Sequence, residues 1–147
     1  MSAHEWNHKD LWRRWGRDFM VEVSRHTEPE RDGDGPNRWA VYAYIYPKHP
    51  HFSAFSGPEM CQDAAAMMPL HYGPSYLRWH RDDSGKPTSV QVGADYQHYR
   101  DNHTREATQK DAYRQFADAD ELFAWLEARA VIAKAEGGDL KAAGVAV

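Results

Sequence analysis

"RWAVYAYIYP", Arg38 to Pro47, is the stretch that decides the fold. Trp39, Val41, Ala43 and Ile45 take one face of an extended chain, and Tyr42, Tyr44 and Tyr46 take the other. A period of two belongs to a strand, because successive side chains point to opposite sides. Aromatic and β-branched residues also fit a pleated, half-buried surface.

The same pattern appears upstream in "RDFMVEVSRH", Arg17 to His26, with Phe19, Val21 and Val23 on one side and Met20, Glu22 and Ser24 on the other. Between the two runs lies "TEPERDGDGPN", an acidic Pro/Gly stretch that reads as a long hairpin loop. Downstream, Tyr76 to Arg81 alternates, "DDSGKP" reads as a turn, and Val90, Val92 and Ala94 line one face of a returning strand. Two hairpins are therefore expected.

Helical signals flank the strands. Ser56 and Glu59 have capping-box spacing with Pro58 in the first turn, which predicts a helix over 57–68 that stops before Pro69. "TQKDAYRQF" suggests one or two helical turns. Asp118 then reads as an N-cap supported by Glu121, and Ala119, Leu122, Phe123, Leu126, Ala130 and Ala133 form an amphipathic stripe. Trp6, Leu11, Trp12 and Trp15, interleaved with Arg13 and Arg14, suggest a tryptophan-anchored helical lead. The expected fold is α+β: a four-stranded antiparallel sheet of two hairpins, with helices, including the C-terminal amphipathic helix, packed on one face. Residues 1–136 would form a single domain that begins with a helical lead over 1–16, and 137–147 a loose C-terminal tail.

Composition supports an ordered domain with an aromatic core. Val, Ile, Leu and Phe number only 21 in 147 residues, but 6 Trp and 8 Tyr supply the missing apolar area. The net charge of −4 argues against nonspecific nucleic-acid binding, which needs a basic footprint. Cys61 is the lone cysteine, so an intramolecular disulfide is impossible. No run approaches the length of a membrane span, and the polar start "MSAHEWNHKDLWRRWG" does not read as a signal peptide. A cytoplasmic protein with no membrane contact is expected.

Three constellations could carry chemistry. His49 and His51 form an H-P-H pair, and Asp95, His98, Asp101 and His103 crowd "GADYQHYRDNH" at 93–103. Metal ligation needs three or four donors converging on one point, and no H-E-x-x-H or C-x-x-C spacing is present. The tyrosine stripe could be core, a protein-binding face or a platform for bases, but its own strand offers basic residues only at its ends, Arg38 and Lys48. Cys61 near a predicted helix start reads as a buried apolar residue rather than a nucleophile, and "SGKPTS" lacks P-loop spacing.

"VQVGADYQHYRDNH" followed by "DAYRQFADADELFAWLEAR" resembles the ending of small proteins carried by bacteriophages and prophages. The matching positions are Gly93, Asp95, Tyr96, His98 and Asp101, then Asp118, Glu121, Leu122 and Phe123, roughly the last third of the chain. The resemblance implies an accessory factor of a mobile element. Some proteins of that class inhibit host defence by binding a host protein, as anti-CRISPR proteins do.

The expected function is thus non-enzymatic protein–protein binding to a host or phage protein, with no cofactor and no metal. Expected contact residues are Trp6, Trp12, Tyr42, Tyr44, Tyr46, Asp95, Tyr96, His98 and Asp101. The alternatives are a metal-dependent enzyme using His49, His51, Asp95 and His98, and a single-stranded nucleic-acid binder using the tyrosine face.

Overall fold

The computed structural model describes residues 9–28, 35–55, 64–96 and 105–142, with side chains described as far as Val131. Five strands form one antiparallel sheet: β1 (Lys9–Gly16), β2 (Phe19–Thr27), β3 (Asn37–Ile45), β4 (Tyr76–Arg81) and β5 (Pro87–Asp95). One long helix, α1 (Tyr113–Ala142), follows. The spatial order is β1-β2-β3-β5-β4, so β3 sits at the centre.

This corrects the expected four-stranded sheet with several helices on one face. The fifth strand is β1, where a helical lead was expected. Leu11, Trp12 and Trp15 suit one helical face, but Leu11, Arg13 and Trp15 equally suit one side of a strand. Pairing decides between them: β1 runs antiparallel to β2 over its whole length, from Lys9↔His26 to Gly16↔Phe19. The two-residue turn between them is Arg17–Asp18, and Asp18 takes φ 61°, a left-handed conformation that aspartate tolerates. Gly16 is glycine because the Phe19 ring lies against it; a Cβ there would come within 2.2 Å of that ring.

The helices differ from expectation as well. Ser56, Pro58, Glu59 and Cys61 lie outside the described residues, and of the helix expected over 57–68 only Ala64–Ala66 is described as helical. A 3-10 turn spans Phe52–Phe55. The helix α1 begins at Tyr113, five positions before the expected N-cap Asp118, after a turn in which the Thr108 carbonyl accepts from the Ala112 N–H at 3.0 Å. The Thr108 hydroxyl accepts from the Asp111 N–H at 3.2 Å, which serves the cap role. Towards its end α1 runs through Gly137 and Gly138 to Ala142, well into the stretch expected to be a loose tail.

The amphipathic stripe is where the sequence places it as far as Ala130; the side chain of Ala133 lies outside the described residues. Ala119, Leu122, Phe123, Leu126 and Ala130 are all buried. They pack on Phe19, Val21, Val23, Trp39, Val41, Ala43 and Ile45, whose side chains share one face of the sheet. Each fully buried leucine there contributes about 1.5–3 kcal/mol of apolar transfer energy. Aromatics seal both ends of this layer. Trp12 stacks on Trp39 at 5.7 Å and meets the edge of Phe116 at 5.2 Å. On the other side Phe52 packs edge-on to Trp79 at 5.6 Å.

Candidate functional site

Strand register builds the site on the other face of the sheet. One row across it reads Arg13, Glu22, Tyr42, Gly93, Tyr76, and the next reads Trp15, Met20, Tyr44, Gln91, Arg78. His80 follows opposite Ser89. Four strands therefore surround Tyr42 and Tyr44 with side chains far away in sequence. In particular, Arg13 and Arg78 supply cations from strands β1 and β4, which the central strand alone does not offer.

Gly93 explains how the tyrosines meet. The Tyr42 ring leans across it, so that a Cβ at position 93 would lie 2.4 Å from Tyr42 Cδ1 and 2.5 Å from the Val41 carbonyl oxygen. Through that gap Tyr42 reaches the edge of Tyr76, with ring centroids 5.3 Å apart. Tyr44 reaches diagonally to stack on His80 at 5.8 Å and 25°. His80 Nε2 is hydrogen-bonded to Gln91 Oε1 at 2.8 Å; the amide oxygen accepts, so Nε2 carries the proton. Arg13 Nε donates to Glu22 Oε2 at 2.7 Å and neutralises a carboxylate that is only 6% exposed. Glu22, Ser24, Met20 and Gln91 are buried on this face without any described helix above them, Glu22 against Arg13 and Gln91 against His80.

Burial, followed by the Glu22 charge, pushes the Tyr44 phenol up to about 12. Burial and then the neighbouring Tyr76 and Glu22 raise Tyr42 in the same way. Both phenols stay protonated at neutral pH and remain hydrogen-bond donors. The face thus offers neutral aromatic hydroxyls, one guanidinium tied to Glu22 and a second, Arg78, that is exposed.

The other expected contact residues have different placements. Tyr46 is half-buried just beyond β3, with its backbone N–H donating to the Asp18 carbonyl at 3.0 Å. Trp12 points to the helix side, into the aromatic stack with Trp39 and Phe116. Asp95 ends β5 opposite Ala40, and its N–H donates to Ser75 Oγ at 3.1 Å. Tyr96 is 1% exposed. Its hydroxyl donates to Asp118 Oδ2 at 2.6 Å and its ring stacks on His71 at 4.3 Å, so it ties β5 to α1. Trp6, His98 and Asp101 lie outside the described residues.

The H-P-H pair forms a clasp between loop and helix. The His51 N–H donates to His49 Nδ1 at 3.0 Å, which leaves the His49 proton on Nε2, where it is given to the Leu126 carbonyl at 2.9 Å. His51 Nε2 donates to the Ala64 carbonyl at 3.0 Å. Burial holds both imidazoles below the ordinary histidine value. Three of the four ring nitrogens are engaged with backbone, so this pair is not an open two-histidine ligand set. Among the described residues no three His, Cys, Asp or Glu side chains converge as metal ligands do.

A second cleft, of about 350 Å³, lies between the 69–72 loop and α1 and is lined by His71, Tyr72, Arg114, Asp118 and Glu121 among others. Its polar groups are largely mutual: Arg114 Nε lies 3.7 Å from Asp118 Oδ1, and Asp118 already holds the Tyr96 hydroxyl.

Sequence reading found Tyr42 and Tyr44 but missed Arg13, Trp15, Tyr76, Arg78, His80 and Gln91 as their neighbours. The alternation within each strand is visible in the sequence; the strand order that brings them together is not. No helix among the described residues is long and apolar enough to cross a membrane. Compared with protein-family models, with curated proteins and with solved structures, the chain matches none.

Proposed function

We propose that this chain is a non-enzymatic binding protein that uses its tyrosine-lined sheet face to cover a surface on a partner protein. One observation carries the reading: Tyr42, Tyr44, Tyr76, Arg78 and His80 are gathered on a sheet face that no described helix covers. Tyrosine and arginine are the residue types that anchor protein interfaces, since they bring large contact area and directed donors. Trp15 and Leu11, 63% and 40% exposed, extend the face with apolar surface along β1. The resemblance of the last third to phage and prophage accessory proteins makes a host or phage protein the proposed class of partner, with a host defence complex as one candidate.

Single-stranded nucleic acid is the less favoured occupant. Base stacking needs open ring faces. Here Tyr44 is stacked on His80, and Tyr42 is engaged edge-to-face with Tyr76. Arg13 is neutralised by Glu22, and the chain as a whole is acidic.

The test is capture from lysate by immobilised full-length protein, read by quantitative mass spectrometry with and without nuclease. Wild type should recover a defined protein that resists nuclease, and Arg78→Glu and Tyr76→Ala should each reduce its recovery about tenfold. The exposed control Lys110→Ala should leave recovery unchanged. Recovery that ignores both substitutions in the face, or no recovery at micromolar concentrations, refutes the reading. Loss on nuclease treatment, with direct binding of a thymidine oligonucleotide, would assign the face to nucleic acid.

A further inference from the structure

The two edges of the sheet are built differently. At one edge β4 is short and carries a register irregularity at His80/Arg81, a device that spoils further pairing. At the other edge β1 is eight residues long, pairs with β2 without a break and contains no proline. Among the described residues it is paired on one side only. Its charged side chains, which on an edge strand usually discourage pairing, are mostly drawn back onto their own chain. Arg13 is held by Glu22, Arg14 lies 3.8 Å over the Phe123 ring, and Asp10 accepts from Arg25 Nε at 3.0 Å, while the side chains of Arg14 and Asp10 stay 63% and 43% exposed and can still meet a charge across the edge.

We infer that β1 is a self-association edge, and that two copies of this chain pair antiparallel through it about a two-fold axis at Trp12. A two-fold perpendicular to the sheet must place residues of one face opposite residues of the same face, which leaves few registers. Centring on Leu11 sets Lys9 against Arg13 of the second copy, and centring on Arg13 sets that residue against itself. Both place like charges directly opposite, which is destabilising. Centring on Trp12 sets Asp10 against Arg14 twice, Leu11 against Arg13, Lys9 against Trp15 and Trp12 against itself. Of the three, only this register joins opposite charges and opposes no like ones.

The geometry around β1 fits such an occupant. Asp10, Trp12 and Arg14 share the helix side, where a slot of about 160 Å³ between β1 and α1 is lined by Trp12, Arg14, Phe116, Asp120 and Phe123. Leu11 and Trp15 share the open side and are exposed. A second β1 would place its own Trp12 beside the first and cover apolar surface on both sides of the edge. The pairing would also make the two tyrosine faces one continuous surface, although the inference does not depend on that face binding a partner.

The experiment is analytical ultracentrifugation of the full chain with two charge reversals. Wild type should sediment as a dimer at tens of micromolar. Asp10→Lys sets Lys against Arg14 and Arg14→Glu sets Glu against Asp10, so each alone should weaken dimerisation roughly tenfold or more. Mixing the two variants restores both opposite-charge pairs, and a one-to-one heterodimer should form. A monomeric wild type, variants that dimerise as well as wild type, or a mixture that stays monomeric would each overturn the inference. Asp10→Lys also removes the partner of Arg25, so an independent arm uses Lys9→Cys/Trp15→Cys in a Cys61→Ser background. Mild oxidation should give a covalent dimer from the double-cysteine protein and far less from either single cysteine; equal yields from all three count against the register.

Discussion

The two faces of the same sheet keep water out by different means. On the helix side Val21, Val41, Val92 and Ile45 alternate inward and meet the apolar stripe of α1, so burial needs only shape and volume. On the tyrosine side Glu22, Ser24 and Gln91 are also buried, but on a face built of rings and guanidinium groups from neighbouring strands. Two of these polar groups are held by a partner across the sheet: Glu22 has Arg13 and Gln91 has His80. The helix side instead contains Gln115, fully buried, with no hydrogen-bond partner for either amide atom among the described residues. Beneath the helix, therefore, Gln115 lacks the kind of reachable partner that Glu22 and Gln91 find across the strands, whereas His49 and His51 find theirs in backbone carbonyls.

Perturbing each face tests that contrast. The largest effect is expected from Gly93→Ala. The added methyl would meet the Tyr42 ring and the Val41 carbonyl, and the carbonyl belongs to a central strand that cannot swing away. A loss of about 2–3 kcal/mol in denaturant unfolding is expected, with displacement of the Tyr42 and Tyr76 ring resonances by NMR. Unchanged stability would show that the tyrosine face yields more easily than its packing implies.

Acidification should act through the helix side. Burial, opposed by the Leu126 and Ala64 carbonyls, lowers His49 and His51 from the ordinary 6.5. Asp18 favours the His49 charge, whereas Arg129 disfavours the charge on both rings. The unfolded chain therefore takes up protons first as pH falls. This part of the stability is fully present above about pH 6.5 and is lost as pH drops through the lower folded values. Melting temperatures from pH 7.5 down to 5 should fall, and His49→Gln/His51→Gln should flatten the profile even if it lowers the plateau. A profile equally steep in the double variant would place the acid sensitivity elsewhere.

The smallest effect has the opposite sign. Gln115→Met keeps length and helix propensity and removes two buried amide atoms that have no partner among the described residues, so a gain of about 1 kcal/mol is expected. Gln91→Met, which strips His80 of its acceptor, should instead lose stability. If both substitutions stabilise, the hydrogen-bonded face has no advantage over an apolar one, and the contrast between the faces fails.

Legibility in the sequence followed the range of each interaction. Trp39, Val41, Ala43 and Ile45 declare their shared face within a single strand, and Leu122, Phe123 and Leu126 declare theirs within a single helix. The start of α1 was misplaced because Asp118 is a good N-cap residue in isolation, whereas here its carboxylate serves Tyr96 from inside the helix. The H-P-H pair leaves ligation open as an alternative in the sequence because nothing local shows that Leu126 and Ala64 supply carbonyls to it. "GADYQHYRDNH" divides on the same principle: Gly93 makes room for Tyr42 and Tyr96 braces α1, both through contacts distant in sequence, while residues 97–103 lie outside the described structure.

By itself the sequence determined period, and period determines which side chains share a face: Phe19, Val21 and Val23, then Trp39 to Ile45, the alternation over Tyr76–Arg81, Val90 to Ala94, and the buried stripe of the closing helix. Only the tertiary structure decided that residues 9–16 extend rather than coil, since Leu11, Trp12 and Trp15 suit a helical face while Leu11, Arg13 and Trp15 suit one side of a strand, and pairing with β2 breaks the tie. It alone set the order β1-β2-β3-β5-β4, and with it the meeting of Tyr42 and Tyr44 with Arg13, Tyr76 and His80. The physical reason is that alternation is a property of one chain segment, whereas register and order depend on which segments bury each other's surfaces.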